Sequence, residues 1–224
     1  MTDKPNKSRS REVVEAVVEG GAGAVPFVGG PLAAALALAM NWSYNKRMDL
    51  WLDQLAEAVD QLGRRFEDLA GDEVFVDAVI NATRAAQTTH QQEKLDALRH
   101  AVVNSVAPGA PDVDEQARFF RLVEQFSAAH LRLLNFLDDT GAVFDRDGRA
   151  RPSYQYGSLG QLLEDAIPAF AGRRDWYDLL MTDLVNSRLV LGDANSLHGT
   201  MTEHGLYQKR SSALGQRFLA FISA

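Results

Sequence analysis

The chain has 224 residues, 46% of them hydrophobic, with a formal net charge of −7 and no cysteine. Length and apolar content suit a globular protein of one or two domains. The missing thiols exclude disulfides, thiolate metal sites and cysteine nucleophiles, and the acidic balance argues against a general nucleic-acid binder, which needs a basic footprint on phosphates.

Residues 1–10 are polar and read as a disordered tail. Lys4, Lys7, Arg9 and Arg11 precede an apolar run, as in a secretory leader. However, Glu12, Glu15 and Glu19 intervene and no clean small-x-small site with a mature chain after it follows, so a cytoplasmic protein is expected. Residues 11–19 (REVVEAVVE) predict a short amphipathic helix with Val13, Val14, Val17 and Val18 on one face.

Residues 20–45 contain no charge at all: GGAGAVPFVGGPLAAALALAMNWSYN. Five glycines, Pro26 and Pro31 break the first half, and seven alanines make it a poor membrane anchor compared with a Leu-rich span. A bend over 20–30 and a helix from Pro31 are expected, since proline suits the first helical turn. A helix apolar on all sides belongs at the centre of a bundle or against a membrane. Trp42 and Tyr44, followed by Lys46 and Arg47, have the composition of an interfacial anchor. The membrane-interacting candidates are therefore Phe27, Val28, Leu32, Leu36, Leu38, Met40, Trp42 and Tyr44.

Met48, Leu52, Leu55, Val59, Leu62, Phe66 and Leu69 alternate four and three apart, the seam of a helix packed lengthwise on others. Gly63, unfavourable inside a helix, marks the place for a kink or break. Asp72 suits the N-cap of a helix whose inner face begins with Val76, Val79, Ile80 and Thr83. A stripe of Leu95, Leu98, Val102 and Val106 ends at the stop signal Ala107-Pro108-Gly109, with a loop or solvated middle at 87–94. Asp112 and Glu115 form a capping pair for a helix carrying Phe119, Val123, Phe126, His130, Leu133 and Leu137 inward. His130 on that seam is expected to be a buried neutral imidazole with a hydrogen-bond partner.

Residues 138–153 read as a linker. After it come a helix at 159–170, a second at 175–189 with Trp176, Leu179, Leu180, Leu184 and Leu189 inward, a glycine-punctuated hairpin at 189–212, and a closing helix at 213–222. The expected architecture is mainly α. It comprises a helical bundle (11–140) around the apolar helix, a linker (141–153) and a small α+β domain (154–224).

The order helix, helix, hairpin, helix, with LLMTDLVNSRLV and SSALGQRFLAFI, resembles a winged-helix domain. That resemblance puts 175–189 in the recognition position and makes Arg173, Arg174 and Arg188 the nucleic-acid candidates. Asp175, Asp178 and Asp183 on the same helix repel phosphate, and 153–224 carries six cations against seven carboxylates, so packing or protein contact is the better expectation. EKLDALRHAVVNS (93–105), HLRLLNFLDD (130–139) and ALGQRFLAFI are similar to a widespread group of uncharacterised bacterial helical proteins, a likeness that implies a helical domain with a winged-helix-like end and no catalytic residues. The glycine-rich front resembles HeLo and Bell-type domains, which implies a defence or stress effector acting on membranes.

No enzymatic chemistry is legible. The glycines at 20–30 lack the lysine of a phosphate loop, and no strand precedes them. Asp145-Arg-Asp147-Gly148 lacks the first and last oxygens of a calcium loop. The five histidines form no i, i+4 pair. The expectation is a non-enzymatic protein without metal or cofactor, whose partners are membrane lipid, another protein or a second copy. The alternative is a winged-helix regulator of nucleic acid or an adaptor.

Overall fold

The computed structural model describes the backbone of residues 31–62 and 66–224, with side chains from 44 onward except at 63–67 and 194. The expectations for the tail, the first helix and the bend, and for Phe27 and Val28, lie outside the described residues. The chain is mainly helical, with a small two-stranded sheet. It divides into two compact units, 1–44 and 45–224.

Helix α1 runs Pro31–Asp60, so Pro31 does open a helix. The described part of the first unit is its beginning. In the second unit, the rest of α1 buries Trp51 and Leu55. The apolar seam does not continue as one rod to residue 70: α1 stops at Asp60, and α2 is the short helix Phe66–Ala70. Helix α3, Glu73–Gln87, starts at Asp72, whose carboxylate accepts the main-chain N–H groups of Val74 and Phe75. A loop at 88–91 leads to α4, Gln92–Ser105.

The predicted inner face of α3 is wrong in its bearing. Phe75, Ala78, Ala82, Ala85 and Ala86 are buried, while Val76 and Ile80 are 38% and 49% exposed. The reason is close approach. α3 lies against α4 and α5 (Val113–Gln125), and the side chains it buries there are four alanines and Phe75, small groups that let helices approach closely.

The seam from Phe119 to Leu137 belongs to two helices. α5 ends at Gln125, Phe126 and Ser127 adopt extended backbone, and α6 runs Ala128–Asp138. Both helices keep the predicted residues inward, because Phe126 is buried at the corner itself. Asp112 caps α5 through the Glu115 N–H, but the Glu115 side chain reaches Arg217 rather than closing a capping box.

The remaining elements are α7 (Ala142–Arg146), β1 (Tyr156–Gly157), α8 (Leu159–Ala166), a 3-10 turn (Pro168–Phe170), α9 (Arg174–Asn186), a second 3-10 turn (Ala194–Leu197), β2 (Met201–Thr202), α10 (Glu203–Leu206) and α11 (Ala213–Ile222). β1 and β2 pair antiparallel, Tyr156 with Thr202 and Gly157 with Met201. The segment expected as a hairpin closes at its base by one bridge, Val190 to Ser211, and holds turns and α10 within. Leu179, expected inward, is 50% exposed; Tyr177 and Met181 are buried instead.

α9 stops three residues earlier than its apolar spacing suggests. The Arg188 N–H donates to the Val185 carbonyl and the Leu189 N–H to the Leu184 carbonyl, with Arg188 at φ 61°. This is the Schellman arrangement, with arginine where glycine is usual.

α11 closes the core. Phe218 meets Phe119 at 5.3 Å and Phe221 meets Phe120 at 5.5 Å, each near edge-to-face. Residues on both sides of the expected linker thus contribute to one core, and the boundary drawn at 141–153 falls inside the second unit.

Candidate functional site

The misplaced face of α3 leads to the site. Trp51 ties α1 to α3 by donating its indole N–H to the Thr83 hydroxyl, 3.2 Å away. Between the two helices lies a groove of about 470 Å3, floored by buried Leu55, Leu69 and Phe75. Leu52, half exposed, stands on one wall; Val76 and Ile80 stand on the other. Covering three such side chains is worth about 1.5–3 kcal/mol each when fully buried. Asp60 lines the groove, and exposed Asp49, Asp53, Glu73 and Asp77 lie at helical spacing from its walls. Residues 45–87 carry nine carboxylates against five cations. The site is an apolar slot in an acidic frame.

A polar cluster lies elsewhere, where α5 turns into α6. His130 is 7% exposed and stacks on Phe126 with ring centroids 4.7 Å apart. Its Nδ1 accepts the Ser127 main-chain N–H at 3.1 Å and lies 2.9 Å from the Ser127 hydroxyl; its Nε2 lies 3.2 Å from Asp183 of α9. Serine, histidine and aspartate in series are the parts of an acyl-transfer triad, so the atomic roles matter. Nδ1 accepts a main-chain N–H, so the neutral ring carries its proton on Nε2 and donates it to Asp183. Burial lowers the His130 pKa, with Asp183 opposing and Lys94 reinforcing. Lys94, 8% exposed, donates to the Glu124 carbonyl at 2.9 Å, and burial lowers its pKa too. Gln91 accepts the Ala128 N–H. Ser127 does not line the groove. The cluster pins the start of α6 from α4 and α9. His130 is thus the buried, partnered imidazole that its spacing predicts.

Two tyrosines of the C-terminal region hold carboxylates. Tyr177 donates to Glu164 at 3.0 Å and Tyr154 donates to Asp165. Burial first, then these carboxylates, push both phenols up to about 12, so both remain donors at neutral pH.

Of the membrane candidates, Leu32, Leu36, Leu38, Met40 and Trp42 lie on α1 with side chains outside the described set, and Tyr44 is 37% exposed. Among the described residues no helix is long and apolar enough to cross a membrane, and no three potential metal ligands cluster. Arg173 and Arg174 stand at the start of α9 and Arg188 just past its end, about 20 Å along the helix. Arg173 lies over the Trp176 ring and Arg174 sits 3.7 Å from Asp178. The fold does not gather these arginines into one patch. Comparison of the chain with protein-family models, curated proteins and solved structures finds no match.

The groove residues escaped sequence reading because Val76 and Ile80 have the hydrophobicity of core residues. The alanines at 78, 82, 85 and 86 were the available signal, since small residues at helical spacing suit a face packed against other helices.

Proposed function

We propose that this chain is a non-enzymatic helical interaction protein and that the α1–α3 groove receives an amphipathic helix of a protein partner. One observation carries the reading: Leu52, Val76 and Ile80 stay half exposed around a closed apolar floor. A groove of this kind suits an apolar stripe at i, i+3, i+4 and i+7 spacing. The acidic frame favours basic flanks on that helix, which speed encounter and impose salt dependence.

The probe is a short labelled Leu/Lys amphipathic helix, followed by fluorescence anisotropy. One-to-one saturable binding that weakens about tenfold or more with Ile80→Asp is expected. Equal affinity for the variant, or no saturation, contradicts the groove as the site.

A second reading rests on the uncharged run at 20–45 and on exposed Tyr44. In it the front of the chain engages lipid, as a defence or stress effector would. Liposome sedimentation tests it, and full recovery in the supernatant with anionic vesicles removes it. For residues 154–224, the winged-helix reading draws support from the order of α8, α9 and α11 and from the Val190–Ser211 closure. The pairing of Arg174 with Asp178 and the acidic balance favour protein over DNA as the partner of that region.

A further inference from the structure

A cavity of about 610 Å3 opens between α4, α6, α7, the Pro168 turn and the residues after α11. Its volume lies within the range of small-molecule sites. The floor is apolar: Ala97, Leu131, Ile167 and Ile222 line it. The back wall is fixed, because Asn104 donates to the carbonyls of Ala220, Phe221 and Ser223 and holds the end of α11 in place.

The rim is charged, and its pairing is uneven. Glu93 is held by Arg132 through two hydrogen bonds of 2.8 and 2.7 Å. Asp96 takes Gln92 and Arg99, both at 2.9 Å. Asp147 has Arg149 at 3.8 Å. Each side-chain carboxylate of the rim therefore has a cationic partner. Arg146 and His100 also line the cavity, and neither side chain makes an ion pair or hydrogen bond among the described residues. The uncommitted group of fixed charge is a guanidinium, with an imidazole as the second uncommitted polar group. Guanidinium forks match carboxylates and phosphates.

We infer that this cavity binds a small amphiphilic anion, its carboxylate or phosphate taken by Arg146 with His100 in support and its apolar chain laid on Ala97, Leu131, Ile167 and Ile222. The inference is independent of the α1–α3 groove, since the two sites share no residue.

The test titrates the full chain with octanoate and, separately, with octyl phosphate, using octanol and acetate as controls. Binding is read by calorimetry and by nitrogen-15 amide shifts. Saturable binding of either anion is expected, with shifts centred on Ala97, Leu131 and Arg146; which of the two binds more tightly identifies the head group. Arg146→Gln, an exposed position, is expected to weaken binding about tenfold or more, while Arg121→Gln, away from the cavity, leaves it unchanged. Octanol binding as tightly as the anions overturns the inference. So do shifts centred on Val76 and Ile80, full affinity in Arg146→Gln, or no saturation by either anion.

Discussion

His130 shows how one side chain can join three elements. Its spacing placed it on a core seam, and burial with a partner followed from that. Its partners did not. Ser127 is local, but Asp183 lies 53 residues away and Lys94 comes from another helix. The pH consequence follows from burial. The folded pKa lies below the ordinary 6.5, so the unfolded chain takes up the proton first as pH falls. Stability that is present above about 6.5 is then lost as pH drops through the folded value. His130→Ala is expected to cost about 2–3 kcal/mol near neutral pH through lost packing and hydrogen bonds. It is also expected to flatten the decline in stability between about pH 7.5 and 5.5. Urea unfolding at both pH values measures this. An unchanged decline in the variant would assign the pH dependence to other groups. Arg188 marks the opposite limit of sequence reading: nothing in NSRLV announces a left-handed arginine, because the two Schellman hydrogen bonds depend on where Leu189 must go to reach the core.

At the scale of elements, helix starts were the most legible, because caps are local chemistry. Asp72 and Asp112 accept the N–H groups their positions suggested. Helix faces were less so. Alanine reads as neutral in a periodicity count, yet on α3 it makes up most of the buried face, and Val76 and Ile80 turn outward. Gly215 of α11 is a similar case. It looks like a blemish in ALGQRFLAFI, but a Cβ there would run into the Leu189 carbonyl, which accepts the Ser212 N–H beside the Val190–Ser211 bridge. Glycine-to-alanine in an ordinary helix gains about 1 kcal/mol. Gly215→Ala is expected to lose about 2 kcal/mol instead, because the contact is with backbone that cannot rotate away. Thermal unfolding decides the sign, and a rise in Tm would contradict the close approach.

At the scale of the molecule, the helical class was legible and the partition was not. Composition shifts at 141–153 suggested a boundary. Yet Phe218 and Phe221 pack on Phe119 and Phe120 from the other side of it, a contact across about a hundred residues that no local pattern encodes. The candidate site was hidden for the same reason. An apolar groove is defined by what fails to cover it, and periodicity alone assigns every large hydrophobe to the core. The net charge pointed away from nucleic acid, and the acidic frame of the groove gives that charge a place.

The sidedness of α3 is the claim on which the proposed role depends, and the unfolding free energy of Ile80→Asp measures it. With Ile80 at the groove wall, the variant is expected to stay within about 1 kcal/mol of the parent chain, whereas Ala82→Asp on the opposite face loses about 3 kcal/mol or more. An Ile80→Asp chain as destabilised as Ala82→Asp would put Ile80 in the core and leave no groove for a partner.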